Sequence, residues 1–135
     1  AKIMHQGKKI AILAFGRFVD AALSAGKHLD ATVVNMRFIK PLDNTLIDKL
    51  VSSCDLIVTV EENAIMGGAG SAINEYLLSQ NHQIPVLNLG LPDQFLEHGK
   101  PEVLLAKCGL DSKGIIKAIL KKQNEVQAAI CSTST

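Results

Sequence analysis

The 135-residue sequence has no tryptophan, one tyrosine and four phenylalanines. Proteins that bind single-stranded nucleic acids stack bases on aromatic side chains, and this chain has few such platforms. An excess of one charge is missing too, because 14 Lys and Arg residues are balanced by 13 Asp and Glu. Polyanions and anionic membrane surfaces attract strongly basic proteins. The composition therefore argues against nucleic acid and membranes as partners.

Long hydrophobic runs are also absent. Runs such as "IAILAF" at 10–15 are strand-sized, whereas a membrane-spanning helix needs roughly 20 apolar residues. The opening "AKIMHQGKK" has no initiator Met, apolar signal region or basic presequence. We therefore expect a soluble, cytoplasmic chain cut from a longer polypeptide, with residues 1–8 as a linker remnant.

The three cysteines and four histidines lack the spacing of a metal site or a redox pair. The cysteines are predicted to be reduced thiols of a cytosolic protein, and the histidines to be surface or loop residues. The residues concerned are Cys54, Cys108, Cys131, His5, His28, His82 and His98.

Apolar β-branched runs alternate with segments of helical periodicity, which is typical of a largely parallel sheet covered on both faces. The sequence therefore predicts a single α/β domain at 9–123, a three-layer α/β/α sandwich, followed by a polar tail at 124–135. The predicted strands are 9–16, 31–36, 55–61 and 84–90, and the predicted helices are 17–29, 44–53, 70–80, 101–109 and 111–123, with Asp43 and Asp111 as N-caps.

The stretch "VEENAIMGGAG" follows the third predicted strand and opens the third predicted helix. Gly67, Gly68 and Gly70 could bring backbone N–H groups close to an anion at the helix N-terminus. Glu61 and Glu62 would repel an incoming phosphate, but either carboxylate could accept hydrogen bonds from the same amides. The loop is thus either an anion site or a packing loop that supplies its own anion.

A nucleotide-binding function is weakly supported by this loop. A dinucleotide fingerprint needs a small residue three places after Gly70, where Ile73 stands, and it normally follows the first strand. The sequence "GKS" or "GKT" of a phosphate-binding Walker loop does not occur. An autonomous anion- or nucleotide-binding module remains the alternative function.

Arg37 in "MRFIKPLD" follows the second predicted strand. If the strands are neighbours, its guanidinium could pair with Glu61 or Glu62 as an inter-loop or inter-subunit salt link. A solvated connection that turns at Pro41 is an equally good interpretation.

The segments "VVNMRFIKPLD", "VTVEENAIMGGAGSAINE" and "VLNLGLPDQFLEHG", in this order, strongly resemble the C-terminal domain of the 1-deoxy-D-xylulose-5-phosphate synthases. These enzymes form a family of the thiamine-diphosphate-dependent transketolase superfamily. The resemblance runs from about residue 7 to residue 121. It implies a parent transferase that uses thiamine diphosphate and Mg²⁺ to condense pyruvate with glyceraldehyde 3-phosphate, which serves isoprenoid and thiamine biosynthesis.

The resemblance also implies that the catalytic, cofactor-binding and metal-binding residues lie in the preceding domains, so none is carried over onto this sequence. The chain alone is expected to be inactive, and its partners to be those domains and a homodimer partner. The family's five-stranded sheet has its first strand antiparallel. The four strands predicted above leave one strand to be located, and both 109–116 and "DQFLE" are open positions for it. The residues expected to face the rest of the enzyme are Glu61, Glu62, Asn63, Gly67, Gly68 and Gly70.

Overall fold

A computed structural model describes residues 2–36, 44–61, 69–90 and 111–133. Strands and helices alternate along the described chain after an initial pair of strands. The strands are β1 (Lys2–His5), β2 (Ile10–Ala14), β3 (Thr32–Asn35), β4 (Leu56–Glu61) and β5 (Val86–Gly90). The helices are α1 (Val19–Leu29), preceded by a 3-10 turn at Gly16–Phe18, then α2 (Asn44–Ser53), α3 (Ala69–Ser79) and α4 (Ser112–Thr133).

The strands form one sheet in the order β1-β3-β2-β4-β5. Strand β1 is antiparallel to β3, and the other neighbouring pairs are parallel. The carboxyl ends of four strands therefore meet at one edge of the sheet, which we call the carboxyl edge. Register pairs Ala14 with Asn35 and Glu61 with Gly90 at this edge.

Each face of the sheet carries its own apolar core, because successive strand residues point to opposite sides. On one side, Ile12 and Val58 pack with Phe18 of the 3-10 turn and Ile119 of α4. On the other side, residues such as Leu13 pack with buried residues of α2 and α3. The predicted three-layer sandwich with a mostly parallel five-stranded sheet is thereby confirmed.

The fifth strand is β1, which lies in the segment interpreted as a linker. The interpretation of residues 1–8 as linker is therefore wrong for Lys2–His5, whose backbone pairs with β3. Of the two positions considered for this strand, Ser112 onward is helical, and "DQFLE" lies outside the described residues. The sequence did not predict β1 because this strand is short, lies at the edge of the sheet and is mostly exposed.

The last helix is longer than the predicted 111–123, because α4 continues to Thr133 through much of the predicted polar tail. Its start agrees with the sequence, since the Asp111 carboxylate accepts a hydrogen bond from the Gly114 backbone N–H at 2.8 Å. The predicted helix 101–109 and the predicted cap Asp43 lie outside the described residues. Across the described part of the chain, the helices are too short or too polar to cross a membrane.

Candidate functional site

A buried carboxylate lies at the carboxyl edge of the sheet. Glu61 is the last residue of β4, and its side chain is only 3% exposed. Its Oε2 accepts a hydrogen bond from the backbone N–H of Gly70 at 2.7 Å. Gly70 is the second residue of α3, so this bond ties the end of a central strand to the beginning of the following helix.

A second polar pair lies next to this bond on the same face of the sheet. Thr59 donates its hydroxyl hydrogen to Oδ1 of Asn88 at 2.6 Å, which joins β4 to β5. A Cβ placed on Gly70 would come within 2.9 Å of both Asn88 Oδ1 and Thr59 Oγ1. Gly70 is therefore required for the close approach of α3 to the sheet at this point.

The electrostatics of this arrangement favour an internal anion. The N-terminal amides of a helix carry a partial positive charge that stabilises a nearby carboxylate. Since Glu61 already accepts from Gly70, an external phosphate would have to displace a covalently attached carboxylate and face its charge. At Gly70, the one glycine of this loop that the structure describes, the arrangement fits a packing role better than anion capture.

Of the predicted site residues, the structure describes Glu61 and Gly70, and it brings these two together. The other predicted site residues lie outside the described residues, so the proposed salt link and the rest of the loop stay predictions. These residues are Arg37, Glu62, Asn63, Gly67 and Gly68.

Sequence reasoning missed Thr59 and Asn88. The signal was present, because each is a polar residue inside an otherwise apolar strand, in "LIVTVE" and "VLNLG". Thr59 is also two residues before Glu61, so strand alternation places both side chains on one face. A polar residue in a buried strand normally has a hydrogen-bonding partner, and the partner here is on the neighbouring strand.

A separate polar cluster links α2, α3 and the turn after α3. The Tyr76 hydroxyl donates to Oδ1 of Asp48 at 2.7 Å, and the same oxygen is 3.2 Å from Nε2 of His82. His82 is placed by the C-terminal turn of α3, in which Asn81 is left-handed with φ 57°. The hydrogen bond from Tyr76, helped by His82, lowers the pKa of the Asp48 carboxyl, while the bond to Asp48 raises the pKa of the Tyr76 phenol.

The opposite, amino edge of the sheet carries an open cavity of about 720 Å³. Its lining includes the buried residues Ile10, Leu56 and Cys54, and also the polar residues Lys9 and Asp55. Burial raises the pKa of the Cys54 thiol, so it stays protonated and weakly nucleophilic at neutral pH. Within the described ranges, no three His, Cys, Asp or Glu residues are grouped so that they could hold a metal ion.

Comparison with known proteins places this geometry in a family. Residues 1–115 match the family described as "Transketolase, C-terminal domain". A 1-deoxy-D-xylulose-5-phosphate synthase of Leptothrix cholodnii is 60% identical over 117 residues, which are 87% of this chain and 18% of that protein. The corresponding enzyme of Methylobacillus flagellatus is 58% identical over 121 residues, or 90% of this chain and 20% of that protein.

A solved structure titled "Split gene transketolase, inactive beta4 tetramer" superposes with a TM-score of 0.81 at 36% identity. The match covers 90% of this chain and 41% of that one. The resemblance drawn from the sequence motifs is thereby confirmed. The chain spans about one fifth of the length of the two synthases it matches.

Proposed function

The chain belongs to the family of transketolase C-terminal domains, and from this we propose that it is the non-catalytic C-terminal domain of a 1-deoxy-D-xylulose-5-phosphate synthase. The observation that carries the proposal is 58–60% identity to two such synthases over most of this chain. The parent would be a cytoplasmic transferase that condenses pyruvate with glyceraldehyde 3-phosphate, releasing carbon dioxide and forming 1-deoxy-D-xylulose 5-phosphate.

The parent is proposed to use thiamine diphosphate and Mg²⁺, held by its other domains. The residues described here do not fit these groups, since they offer no cluster of three or more metal-ligating side chains. Glu61, the buried carboxylate of the carboxyl edge, is engaged with a backbone amide of its own chain. We therefore assign no step of the reaction to this domain.

The proposed role of the domain is to pack against the preceding domains and to support a homodimer. The direction of strand β1 supports one orientation of the domain relative to the preceding domains. This strand is antiparallel to β3 and begins at the carboxyl edge, where Lys2 pairs with Asn35. Chain that precedes Lys2 would join the fold at that edge. We propose that the carboxyl edge, including the loop between Glu61 and Gly70, faces the rest of the enzyme.

An activity assay tests the proposal. The full-length polypeptide that carries this chain and the 135-residue chain alone are each incubated with pyruvate, glyceraldehyde 3-phosphate, thiamine diphosphate and Mg²⁺. Carbon dioxide release that depends on glyceraldehyde 3-phosphate is expected from the full-length polypeptide, and none from the chain alone. A full-length polypeptide that transfers ketol groups between sugars without decarboxylating pyruvate would contradict the proposed parent activity.

A further inference from the structure

Helix α4 presents a line of lysines to solvent. Lys113, Lys117 and Lys121 are exposed and follow one another at intervals of four residues, which places them on one side of a helix. On the inner side, Ile115 and Ile119 are fully buried in the core. The helix therefore cannot turn about its axis, and its lysine line is fixed on the surface.

The charge on this helix is concentrated. Within 112–133 there are four Lys and one Glu, a net charge of +3, in a chain whose formal net charge is +1. The remainder of the chain is therefore net −2. Among the described residues, none of the lysines in the line lies within ion-pair distance of a carboxylate. Like charges spaced by four residues repel each other, and an oppositely charged partner would relieve this repulsion.

The lysine line borders an apolar strip. Leu120 is 44% exposed, and the partly buried Ile116 lies one turn before it. Both line a shallow groove together with Lys113, Lys117 and Lys121. This combination suits a protein surface better than nucleic acid, because phosphates offer no apolar contact for Leu120. It also suits a membrane poorly, since an interfacial helix needs a broad apolar face and here that face is buried in the core.

A second copy of the chain would fit the groove badly. Glu125 follows Lys121 at the next four-residue interval and ends the line. Two antiparallel copies of α4 would pair Lys113 with Glu125 at each end, but they would place Lys117 opposite Lys121 in the middle. A parallel pair would place every lysine opposite its own equivalent.

We propose that the outer face of α4 binds an acidic amphipathic helix of a protein partner. The partner helix carries carboxylates at positions i, i+4 and i+8, spanning about 12 Å along its axis, and leucine-like residues at i+3 and i+7. Its carboxylates pair with the three lysines as charged flanking residues do in coiled coils. Its apolar side chains cover Leu120. This proposal does not depend on the proposed parent activity.

A designed peptide tests the proposal with the 135-residue chain. The probe is a labelled helical peptide with Glu at i, i+4 and i+8 and Leu at i+3 and i+7, and a scrambled peptide of the same composition is the control. Fluorescence anisotropy is expected to show binding of the first peptide, at least tenfold tighter than the scrambled one. Raising NaCl from about 50 to 300 mM should weaken this binding, because the pairs are exposed and screened.

Variants of the chain locate the binding surface. Lys117→Glu should weaken binding at least tenfold, and Lys117→Arg should retain it. Lys49→Glu, which changes an exposed lysine of α2 in the same way, should have no effect. Circular dichroism checks that each variant keeps its fold. Equal binding of both peptides, or unchanged binding by the Lys117→Glu variant, would overturn the proposal.

Two competing occupants are measured alongside. Vesicles of phosphatidylglycerol and a short DNA duplex are titrated with the chain and with the Lys117→Glu variant. Neither is expected to bind in a manner that depends on Lys117. If either one does so while the acidic peptide fails to bind, the partner class proposed here is wrong.

Discussion

At the scale of single residues, the Glu61–Gly70 bond matters because both of its atoms are removed from water. Hydrogen bonds to charged groups contribute about 1.5–3 kcal/mol, and a buried donor left without a partner costs about 1–3 kcal/mol. The bond joins the end of β4 to the second residue of α3. A change at Glu61 should therefore affect the whole domain.

Truncating Glu61 tests this contribution. Glu61→Ala is expected to lower the free energy of unfolding by about 2–3 kcal/mol, because it leaves the Gly70 amide without its acceptor. Glu61→Gln should cost less, since its amide oxygen still accepts. The matched control is Glu75→Ala on the exposed side of α3, expected to stay within about 0.5 kcal/mol of the parent chain. Urea denaturation measures all three, and equal losses for Glu61→Ala and Glu75→Ala would contradict the argument.

Because of the Asp48–Tyr76 bond, we expect the stability of the folded chain to fall at both low and high pH. Asp48 has a lowered pKa in the folded chain, so its contribution is lost as pH falls through that lowered value, below about pH 4. Tyr76 has a raised pKa, so its contribution is present at neutral pH and lost as pH rises beyond about 10.

Tyr76→Phe should therefore melt at a lower temperature than the parent chain at neutral pH. The gap in melting temperature should narrow at both pH extremes. Thermal scans by circular dichroism from about pH 2.5 to pH 11 measure it. As a control, Asp20→Asn changes an exposed carboxylate of α1. When both proteins carry this substitution, the difference in melting temperature between Tyr76→Phe and the parent chain should stay the same at each pH. A gap of constant size across this range would show that the bond does not contribute.

At the scale of elements, the contact between α1 and β3 depends on one glycine. A Cβ on Gly26 would collide with Cγ2 of Val33. Gly26→Ala should therefore destabilise the chain by about 1–3 kcal/mol through overpacking, although alanine in an unconstrained helix would stabilise it by about 1 kcal/mol.

A double-mutant cycle with Val33→Ala checks the cause, because removing Cγ2 makes room for the new methyl group. The double variant should lose clearly less stability than the sum of the two single variants. Chemical denaturation of all four proteins provides the comparison. Strict additivity, or a stabilising Gly26→Ala, would refute the close-packing explanation.

Elements with a buried face were predictable, and those without one were not. The run "IAILA" is apolar throughout, and all of its residues are buried. The apolar residues of 17–29 recur at helical spacing, which predicts one buried face, and the structure buries three of them fully and two partly: Phe18, Ala22 and Ala25, and Ala21 and Leu29. Strand β1 was not predicted because its residues are mostly exposed and its pairing with β3 is a long-range contact. The continuation of α4 beyond residue 123 was not predicted, because a polar sequence gives little signal for where a helix ends.

In the candidate site, too, residues with a local sequence signal were predicted, and residues that meet only through long-range pairing were not. Glu61 and Gly70 stood out from a loop whose glycines and carboxylates are unusual in composition, but the sequence left open whether Glu61 or Glu62 would bond to the helix. Thr59 and Asn88 meet only when β4 and β5 are placed side by side in register. Strand order and register are properties of the folded sheet, so local patterns could not identify this pair.

At the scale of the whole molecule, the two edges of the sheet are proposed to have different surroundings. In the full-length polypeptide, the carboxyl edge is expected to be covered by the preceding domains. Amide hydrogen exchange should then be slower there than in the isolated chain, in peptides that contain Phe15, Met36 or Glu61. Peptides from the amino edge, around Lys9 and Asp55, serve as internal controls and should exchange equally in both proteins. Slowing at the amino edge alone would contradict the proposed orientation.

The central claim is that this chain is a domain that packs within a synthase without holding its cofactor. Calorimetric titration of thiamine diphosphate, with Mg²⁺ present, into the isolated chain and into the full-length polypeptide tests it most directly. We predict no heat of binding for the isolated chain and saturable binding for the full-length polypeptide. Saturable micromolar binding to the isolated chain would contradict the claim.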